Sequence, residues 1–354
     1  MELRDTWKFW KIEEAVRGCI EIYDRREDRG ALHYFGIPRL SKKEAYEILK
    51  SELPEEYDFA IHEIHGSFVI SVFSGKHDLK INVILAILTF LSTTFVGSLM
   101  FNANPMENPF LLLKGLPFSI SLMLILGAHE LAHYFASRRN GMRASLPYFI
   151  PFPSLIGTMG AVIIHRGMIP NRRALLELGV SGPLAGLIAS IIATAVGLNL
   201  PFEVPQDSEA VLYLGVPPLF LIISKLVSFQ GEVIHPVAFA GWVGMLVTFL
   251  NMIPVGQLDG GHVLRAILPK ESFEKISILS SNLILIFGIL LMILGRNGSL
   301  WLIWGLILIL FSRRGHPDPV DDEIELDSAR KIIGILSFIL AFLCFTPVPF
   351  ETNI

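Results

Sequence analysis

Residues 115–133 read GLPFSISLMLILGAHELAH, an apolar run with no charge up to residue 128 that ends in two histidines around a glutamate. A helix that crosses a bilayer core needs about 20 apolar residues, so this stretch predicts a membrane span. The two histidines are four residues apart, and a helix therefore turns both imidazoles to one side. The stretch predicts a membrane helix with a polar group of side chains at one end.

The rest of the chain divides into a charged start and a long apolar remainder. Residues 1–80 contain 29 of the 62 Asp, Glu, Lys and Arg residues, although they make up less than a quarter of the 354 positions. Overall, 52% of the residues are hydrophobic, and the mean hydropathy is +0.55. The net charge of -4 shows no basic excess, which argues against a nucleic-acid partner. We expect a small soluble domain at 1–77 and a membrane domain at 78–354.

The charged start predicts a small α/β domain with a regulatory or docking role. Ser41 followed by Glu44 is a capping box, which predicts a helix over residues 41–52. Alternating or β-branched apolar residues predict three strands, at 31–35, 58–64 and 67–74. The domain has no catalytic motif, and its first residues do not resemble a signal peptide. We therefore expect it to stay in the cytoplasm.

The apolar remainder predicts a multi-pass α-helical membrane protein with about seven transmembrane helices. The uncharged runs are 81–100, 115–128, 178–200, 236–258, 276–295, 297–312 and 332–350. A further run, 144–164, contains three prolines within seven residues, which an ordinary helix does not tolerate. It predicts a re-entrant or β-hairpin segment beside a hydrated site. Residues 210–224 are broken by two prolines and predict an interfacial helix.

Basic residues indicate which ends of the spans face the cytoplasm, because Lys and Arg are enriched in short inner loops. With the N-terminus inside, the connection at 136–176 is also inside, and it contains six arginines and no acid. The connection at 201–235 is then outside, with one lysine and four acids, namely Glu203, Asp207, Glu209 and Glu232. We expect a cell (plasma) membrane protein with a cytoplasmic N-terminus.

His129, Glu130 and His133 form the pattern H-E-x-x-H. Two neutral imidazoles on one helix face can bind Zn²⁺, and the glutamate between them can take a proton from a water. Such residues are costly inside a membrane unless they are paired or functional. The alternative is a buried polar network without a metal.

A catalytic zinc usually has three protein ligands and one open position, and we expect Asp259 to be the third ligand. It is the only acid between Glu232 and Glu271. Pro254 and the glycines around Asp259, namely Gly256, Gly260 and Gly261, would break the helix and turn its carboxylate inward, on the same side of the membrane as the histidines. Its alternative role is a cap on a following helix over residues 260–267.

Several neighbouring polar residues have competing interpretations. His262 is a rival third ligand, although a place at the rim of the site is the stronger interpretation. Asn251 could donate a hydrogen bond to a substrate oxyanion, or it could satisfy backbone opened by Pro254. The remaining histidines of the membrane domain lie in connections, and we expect ordinary surface or interface roles for them: His165, His235 and His316.

The two motifs together resemble the site-2 protease family of intramembrane zinc metalloproteases, peptidase family M50. H-E-x-x-H is followed by N-x-x-P-x-x-x-L-D-G at residues 251–260, and the resemblance covers about residues 80–320. The segments SGPLAG at 181–186 and GWVG at 241–244 look like the plant-chloroplast and archaeal branch of that family.

This resemblance implies a set of roles for individual residues. It implies that His129, His133 and Asp259 bind one Zn²⁺ per chain and that Glu130 activates the water. Asn251 matches an asparagine that aids substrate or oxyanion binding. Two further residues, Gly157 and Gly160, fall where the family has a membrane-associated hairpin near the substrate.

The resemblance implies hydrolysis of peptide bonds in transmembrane segments of membrane protein substrates, within the lipid bilayer. A metal-ion transporter is the first alternative, but it would more often show several sites at different depths and repeated halves. A non-proteolytic membrane chaperone is the second, and it would have no need of an intact Glu130. The sequence gives no oligomeric state.

Overall fold

The computed structural model describes residues 3–28, 30–54, 56–75, 79–202 and 212–351. The expected boundary between residues 77 and 78 lies outside the described residues. So do three acids of the expected outer loop, namely Glu203, Asp207 and Glu209. Within the described ranges, a charged α/β unit precedes a bundle of apolar helices.

The N-terminal unit packs two helices with a four-stranded antiparallel sheet. Its elements are α1 (Leu3–Cys19), β1 (Ile20–Asp28), β2 (Ala31–Pro38), α2 (Lys42–Glu52), β3 (Tyr57–Ile64) and β4 (Ser67–Ser74). The strand order is β1-β2-β4-β3. Side chains of both helices and of the sheet share one core, which includes Val16, Leu49 and Ile70.

The local signals of this unit are confirmed. Ser41 caps α2 through the backbone N–H of Glu44, whose carboxylate in turn accepts from the backbone of Ser41. His65 and Gly66 join β3 to β4 with φ angles of 50° and 79°, the left-handed conformation that a two-residue hairpin turn requires. We did not predict α1 and β1, because charged residues interrupt any clean apolar face there.

The bundle contains nine α-helices among the described residues. In chain order they are α3 (Leu79–Met100), α4 (Leu116–Arg139), α5 (Arg172–Leu198), α6 (Pro218–Leu226), α7 (Pro236–Asn251), α8 (Asp259–Ile267), α9 (Lys270–Ile293), α10 (Ser299–Arg314) and α11 (Ser328–Phe342). A short 3-10 helix, Pro109–Gly115, leads into α4. Five short strands lie between these helices and a sixth follows α11: β5 (Arg143–Ala144), β6 (Tyr148–Pro151), β7 (Thr158–Val162), β8 (His165–Arg166), β9 (Tyr213–Leu214) and β10 (Phe350–Glu351).

Four helical segments of the described chain are long and apolar enough to cross a membrane: Leu79–Met100, Pro109–Arg139, Arg172–Leu198 and Lys270–Ile293. α7 is apolar but shorter. The structure is therefore that of a helical membrane protein with an N-terminal sheet domain, and the count of seven spans stays a prediction. α6 has only nine residues, too few to span a bilayer, which agrees with the expected interfacial helix.

The proline-rich segment between α4 and α5 is a β-hairpin, as expected. β6 pairs antiparallel with β7, and β5 pairs with β8 further from the tip. The side chain of Asn82 on α3 donates to the carbonyls of Leu146 and Pro147. These bonds matter because non-helical backbone at membrane depth survives only where its polar groups are satisfied.

α5 is the central helix of the bundle, because it packs against α4, α7 and α8. Small residues permit this close packing. A Cβ added to Gly241 of α7 would lie 2.2 Å from Oγ1 of Thr194, and one added to Gly244 would lie 2.1 Å from Oγ of Ser190. Glycines of α5 itself, Gly179 and Gly182, lie against the start of α8 and the end of α4, so both of these segments lie against one face of α5.

Candidate metal centre

The first part of the site is the C-terminal half of α4. His129, Glu130 and His133 are all buried there. Nδ1 of His133 lies 2.9 Å from the backbone oxygen of Leu178, an acceptor that fixes the proton on Nδ1. The Nε2 atom of His133 therefore keeps its lone pair, which is the usual arrangement behind a metal-binding histidine.

Glycines on α5 make room for these imidazoles. A Cβ on Gly182 would lie 2.0 Å from Nε2 of His133, and a Cβ on Gly186 would lie 3.1 Å from Nδ1 of His129. The helix passes so close to the site that it tolerates no side chain at Gly182. The glycines of the 181–186 segment thus have a steric role beside the two histidines.

Asp259 reaches the histidines because the chain turns sharply after α7. Gly256 has a φ of +55°. A Cβ on Gly260 would lie 2.1 Å from the backbone oxygen of Met252, and one on Gly261 would lie 2.3 Å from that of Gly256. This compact turn starts α8 at Asp259. The alternative capping role is not observed, because the N-cap of α8 is Leu258 and no side chain caps the helix.

The three expected ligands converge. The carboxylate oxygens of Asp259 lie 3.2 Å from Nε2 of His129 and 3.2 Å from Nε2 of His133. The two Nε2 atoms are 3.0 Å apart. Donors about 2.0–2.1 Å from a tetrahedral zinc lie about 3.3 Å from each other. The donor set and its spacing therefore fit one Zn²⁺. These three residues are the group among the described residues that could hold a metal ion.

Glu130 lies next to this group, between the two histidines in sequence, and is buried. The backbone N–H of Ile163, just after β7, faces its carboxylate. The hairpin thus presents a backbone donor to the side of the site where Glu130 lies.

The other predicted site residues, Asn251 and the two hairpin glycines, differ in their distance from the three-residue group. Nδ2 of Asn251 lies 3.4 Å from Nε2 of His129, so the amide borders the site. Gly157 and Gly160 lie in the hairpin, with φ angles of 76° and 107°. A Cβ on Gly157 would lie 2.8 Å from the backbone oxygen of Ser92 on α3, whereas one on Gly160 would meet open space. Gly157 anchors the tip of the hairpin, and Gly160 leaves its strand open.

His262 is not part of the three-residue group and pairs with His316. Nδ1 of His262 lies 2.6 Å from Nε2 of His316, whose own Nδ1 lies 2.7 Å from the backbone oxygen of Pro317. Burial lowers the pKa of His316 to about 4, so its ring is neutral and accepts from His262. Of the two roles expected for His316, the interface role fits, because this histidine is buried against α8.

The far end of α8 is fixed by ion pairs. The buried guanidinium of Arg265 contacts Asp318 at 3.0 Å and Asp322 at 2.7 Å. Partial burial by itself raises the pKa of Asp322, but hydrogen bonds from Arg265 and Arg172 outweigh it and lower the pKa below its ordinary value. The connection between α10 and α11 thus clamps the helix that begins at Asp259.

The structure also brings His165 to the site, which sequence reasoning missed. Its ring centroid lies 6.4 Å from that of His133, and its Nδ1 lies 2.9 Å from Oγ of Ser137. His235, by contrast, accepts from the backbone of Val237 at the start of α7. In the sequence, His165 directly follows the uncharged run 144–164, which could have drawn attention to it. Its distance from His133, however, depends on how the hairpin folds.

The fold and the site together define a helical membrane protein with a buried His-His-Asp group and an adjacent glutamate. Residues 117–295 match Peptidase family M50. These residues make up half of the chain and contain every member of the group. The chain belongs to this family.

Curated relatives agree with this assignment. Probable zinc metalloprotease EGY1, chloroplastic, of Arabidopsis thaliana is 32% identical over 66% of this chain and 43% of its own length. Probable zinc metalloprotease EGY2, chloroplastic, of the same plant is 29% identical over 69% of this chain and 44% of its own length. The matched regions thus span less than half of these relatives. No solved structure gives a significant match to the chain.

Proposed function

We propose that this protein is an intramembrane zinc metalloprotease that hydrolyses peptide bonds in transmembrane segments of membrane proteins. The observation behind the proposal is the convergence of His129, His133 and Asp259 on one point, beside Glu130 and within apolar helices. Membership of Peptidase family M50 and the printed names of the relatives support the same activity.

The residues divide the chemistry between them. His129, His133 and Asp259 would hold one Zn²⁺, which when bound supplies Lewis-acid chemistry toward a peptide carbonyl and a water. Glu130 takes a proton from the attacking water on its carboxylate and later gives that proton to the leaving amine. The amide of Asn251 borders the site and donates to the carbonyl oxygen as negative charge develops there.

The hairpin is the proposed contact for the substrate. A transmembrane helix shields its peptide bonds by its own hydrogen bonds, so it must unwind locally before cleavage. An extended segment can then pair with a strand edge. Gly160 on β7 has open space beside it, and Gly157 fixes the hairpin tip against α3. Both glycines would therefore shape the edge that receives the unwound segment.

The alternative functions have less support. A transporter that moves ions by stages needs polar sites at several depths. Among the described residues, a single group of His, Asp and Glu has the spacing of a metal site. A non-proteolytic chaperone would have no use for a buried glutamate beside this group.

We further propose seven spans in a plasma membrane, with the N-terminus in the cytoplasm. Residues 1–77 would form a soluble regulatory domain and residues 78–354 the protease domain, with its core at 80–320. The six arginines of the 136–176 connection support this orientation by the positive-inside rule. A regulatory role agrees with the ion pair between Lys43 of α2 and Asp321, which lies in the same connection as the two acids that contact Arg265 of α8.

Glu130→Gln tests the protease activity directly. The purified full chain is compared with this variant in detergent, by zinc content and by cleavage of a labelled transmembrane substrate. We expect the variant to keep its zinc and to lose cleavage by at least about a hundredfold, because general base catalysis contributes about that much.

Glu177→Gln is the matched control, because Glu177 on α5 pairs with Asn140 outside the site. This variant should keep both zinc and cleavage. Cleavage that survives Glu130→Gln would refute the proposed mechanism. Zinc flux across vesicles that survives the same change would favour the transporter.

A further inference from the structure

His165 is connected to the metal centre through a single hydroxyl. Oγ of Ser137 donates to the backbone oxygen of His133 at 2.8 Å, so the only proton of that hydroxyl is committed. The same Oγ lies 2.9 Å from Nδ1 of His165. A hydroxyl whose proton is used elsewhere can only accept here. Nδ1 of His165 therefore has the proton and donates it to Ser137.

This assignment leaves Nε2 of His165 with a lone pair. In a neutral imidazole one nitrogen donates and the other accepts. The described residues offer Nε2 no hydrogen-bond partner, and the residue is exposed. Its ring is nearly perpendicular to that of His133, at an interplanar angle of 87°. An unused acceptor thus lies at the edge of the metal centre.

The backbone next to His165 is engaged within the hairpin. The N–H of Ile164 is bonded to Oγ of Ser145, and the carbonyl of Ile164 accepts from the backbone N–H of Ser145. His165 itself lies opposite Ala144 in the pairing of β5 with β8. The hairpin thus fixes the backbone of His165, and its imidazole presents an acceptor beside the site.

From these contacts we infer that His165 binds the substrate: its Nε2 accepts a hydrogen bond from a backbone N–H of the unwound peptide near the scissile bond. The inference rests on the proposed protease function. An unwound segment at membrane depth has exposed N–H groups, and each is costly without an acceptor. A nitrogen lone pair fixed by Ser137 meets this need and sets the register of the peptide relative to Glu130.

Two substitutions of His165 test the contribution of each ring nitrogen separately. In His165→Asn, the side-chain amide still donates to Ser137 from about the position of Nδ1 but has nothing in place of Nε2. In His165→Gln, the amide can place an oxygen near the position of Nε2. We expect His165→Asn to keep its zinc and to lower kcat/KM by about two- to tenfold, the value of one neutral hydrogen bond. His165→Gln should recover part of that loss.

Substrate analogues distinguish a direct contact with His165 from a purely structural role of this residue. In each analogue, one peptide N–H near the cleavage position is replaced by an ester oxygen, which cannot donate. For the wild type, one such replacement should lower kcat/KM, and for His165→Asn the same replacement should have no effect. This non-additivity is the signature of a direct bond between the two groups.

Three results would overturn the inference. They are wild-type kcat/KM in His165→Asn, loss of zinc from that variant, and additive effects of His165→Asn with every ester analogue. A wild type that does not cleave the substrate at all would overturn the proposed function as well. An active wild type with an unaffected His165→Asn would refute only the role of His165.

Discussion

At the scale of single residues, the site depends on a missing side chain as much as on the ligands. Gly182 lies where any Cβ would be 2.0 Å from Nε2 of His133. We expect Gly182→Ala to push the imidazole away from Asp259 and to weaken zinc binding by about 10- to 100-fold, as changes to residues that support ligands do. Competition with chelators of graded affinity measures this effect.

Gly127→Ala is the matched control for that prediction. Gly127 is also a glycine within a membrane helix, but its Cβ would meet only Cζ of Phe149, at 3.9 Å. That distance is an ordinary contact, so zinc affinity should not change. Equal losses in both variants would contradict the steric role of Gly182.

The residues of the site were predictable to different degrees. The four-residue spacing of His129 and His133 is a property of one helix, so the sequence alone places both imidazoles on one face. Asp259 could also be predicted as a ligand, because it is the only acid in a long apolar stretch. His165 could not be recognised, because its proximity to His133 depends on β5 pairing with β8, and nothing local encodes where that pairing ends. The ligand roles themselves stay predictions.

At the scale of elements, α8 is the short helix whose placement decides the geometry of Asp259. Arg265, six residues later, is clamped by Asp318 and Asp322. The pKa of Asp322 is lower in the folded protein than its ordinary value of 3.8. Its ionised form is thus stabilised by folding, and that stabilisation is complete above about pH 4 and lost as the pH falls through the lowered pKa.

Asp322→Asn should therefore have a pH-dependent effect on stability. We expect its Tm in detergent to be below that of the wild type at pH 7, because the buried guanidinium loses a charged partner. The gap in Tm should narrow as the pH falls from 5 toward 3. Glu325→Gln is the control, since that carboxylate is exposed and has only a 3.4 Å contact with Lys331. A gap for Asp322→Asn that is constant with pH would contradict this role.

The elements with strong local signals were predicted well. The capping box at Ser41 defines α2, and the prolines of 144–164 excluded a helix where the hairpin forms. Elements without such signals were missed, as α1 and β1 were, because their stability comes from the shared core of the N-terminal unit. The number of membrane spans was harder to predict than the number of helices. A bilayer core needs about 20 apolar residues, and α10 and α11 have only 16 and 15 residues.

At the scale of the whole molecule, the proposed topology places the N-terminal unit and the 101–108 connection on opposite sides of the membrane. His65 at the β3–β4 turn and Met106 in that connection are both exposed. Both native cysteines, Cys19 and Cys344, are buried, so they should contribute little background labelling by a thiol reagent. We expect a membrane-impermeant maleimide to label Met106→Cys in intact cells and His65→Cys only after lysis.

The reversed pattern of labelling would contradict a cytoplasmic N-terminus. Labelling of both positions in intact cells would contradict the placement of a membrane span between them. Prior block of intact cells with the impermeant reagent, followed by lysis and a second label, checks that each cysteine is reactive when it is accessible.

The three converging side chains also have a consequence for how the protein is made. His133 and Asp259 are separated by roughly 125 residues, a loop whose closure costs a few kcal/mol of chain entropy. A bound ion would act as a removable crosslink across that loop. Full coordination must then wait until translation has passed residue 259 and α8 has docked on α5. A nascent chain that is still being inserted would therefore have no working centre, and the proposed hydrolysis would not begin before most of the bundle is assembled.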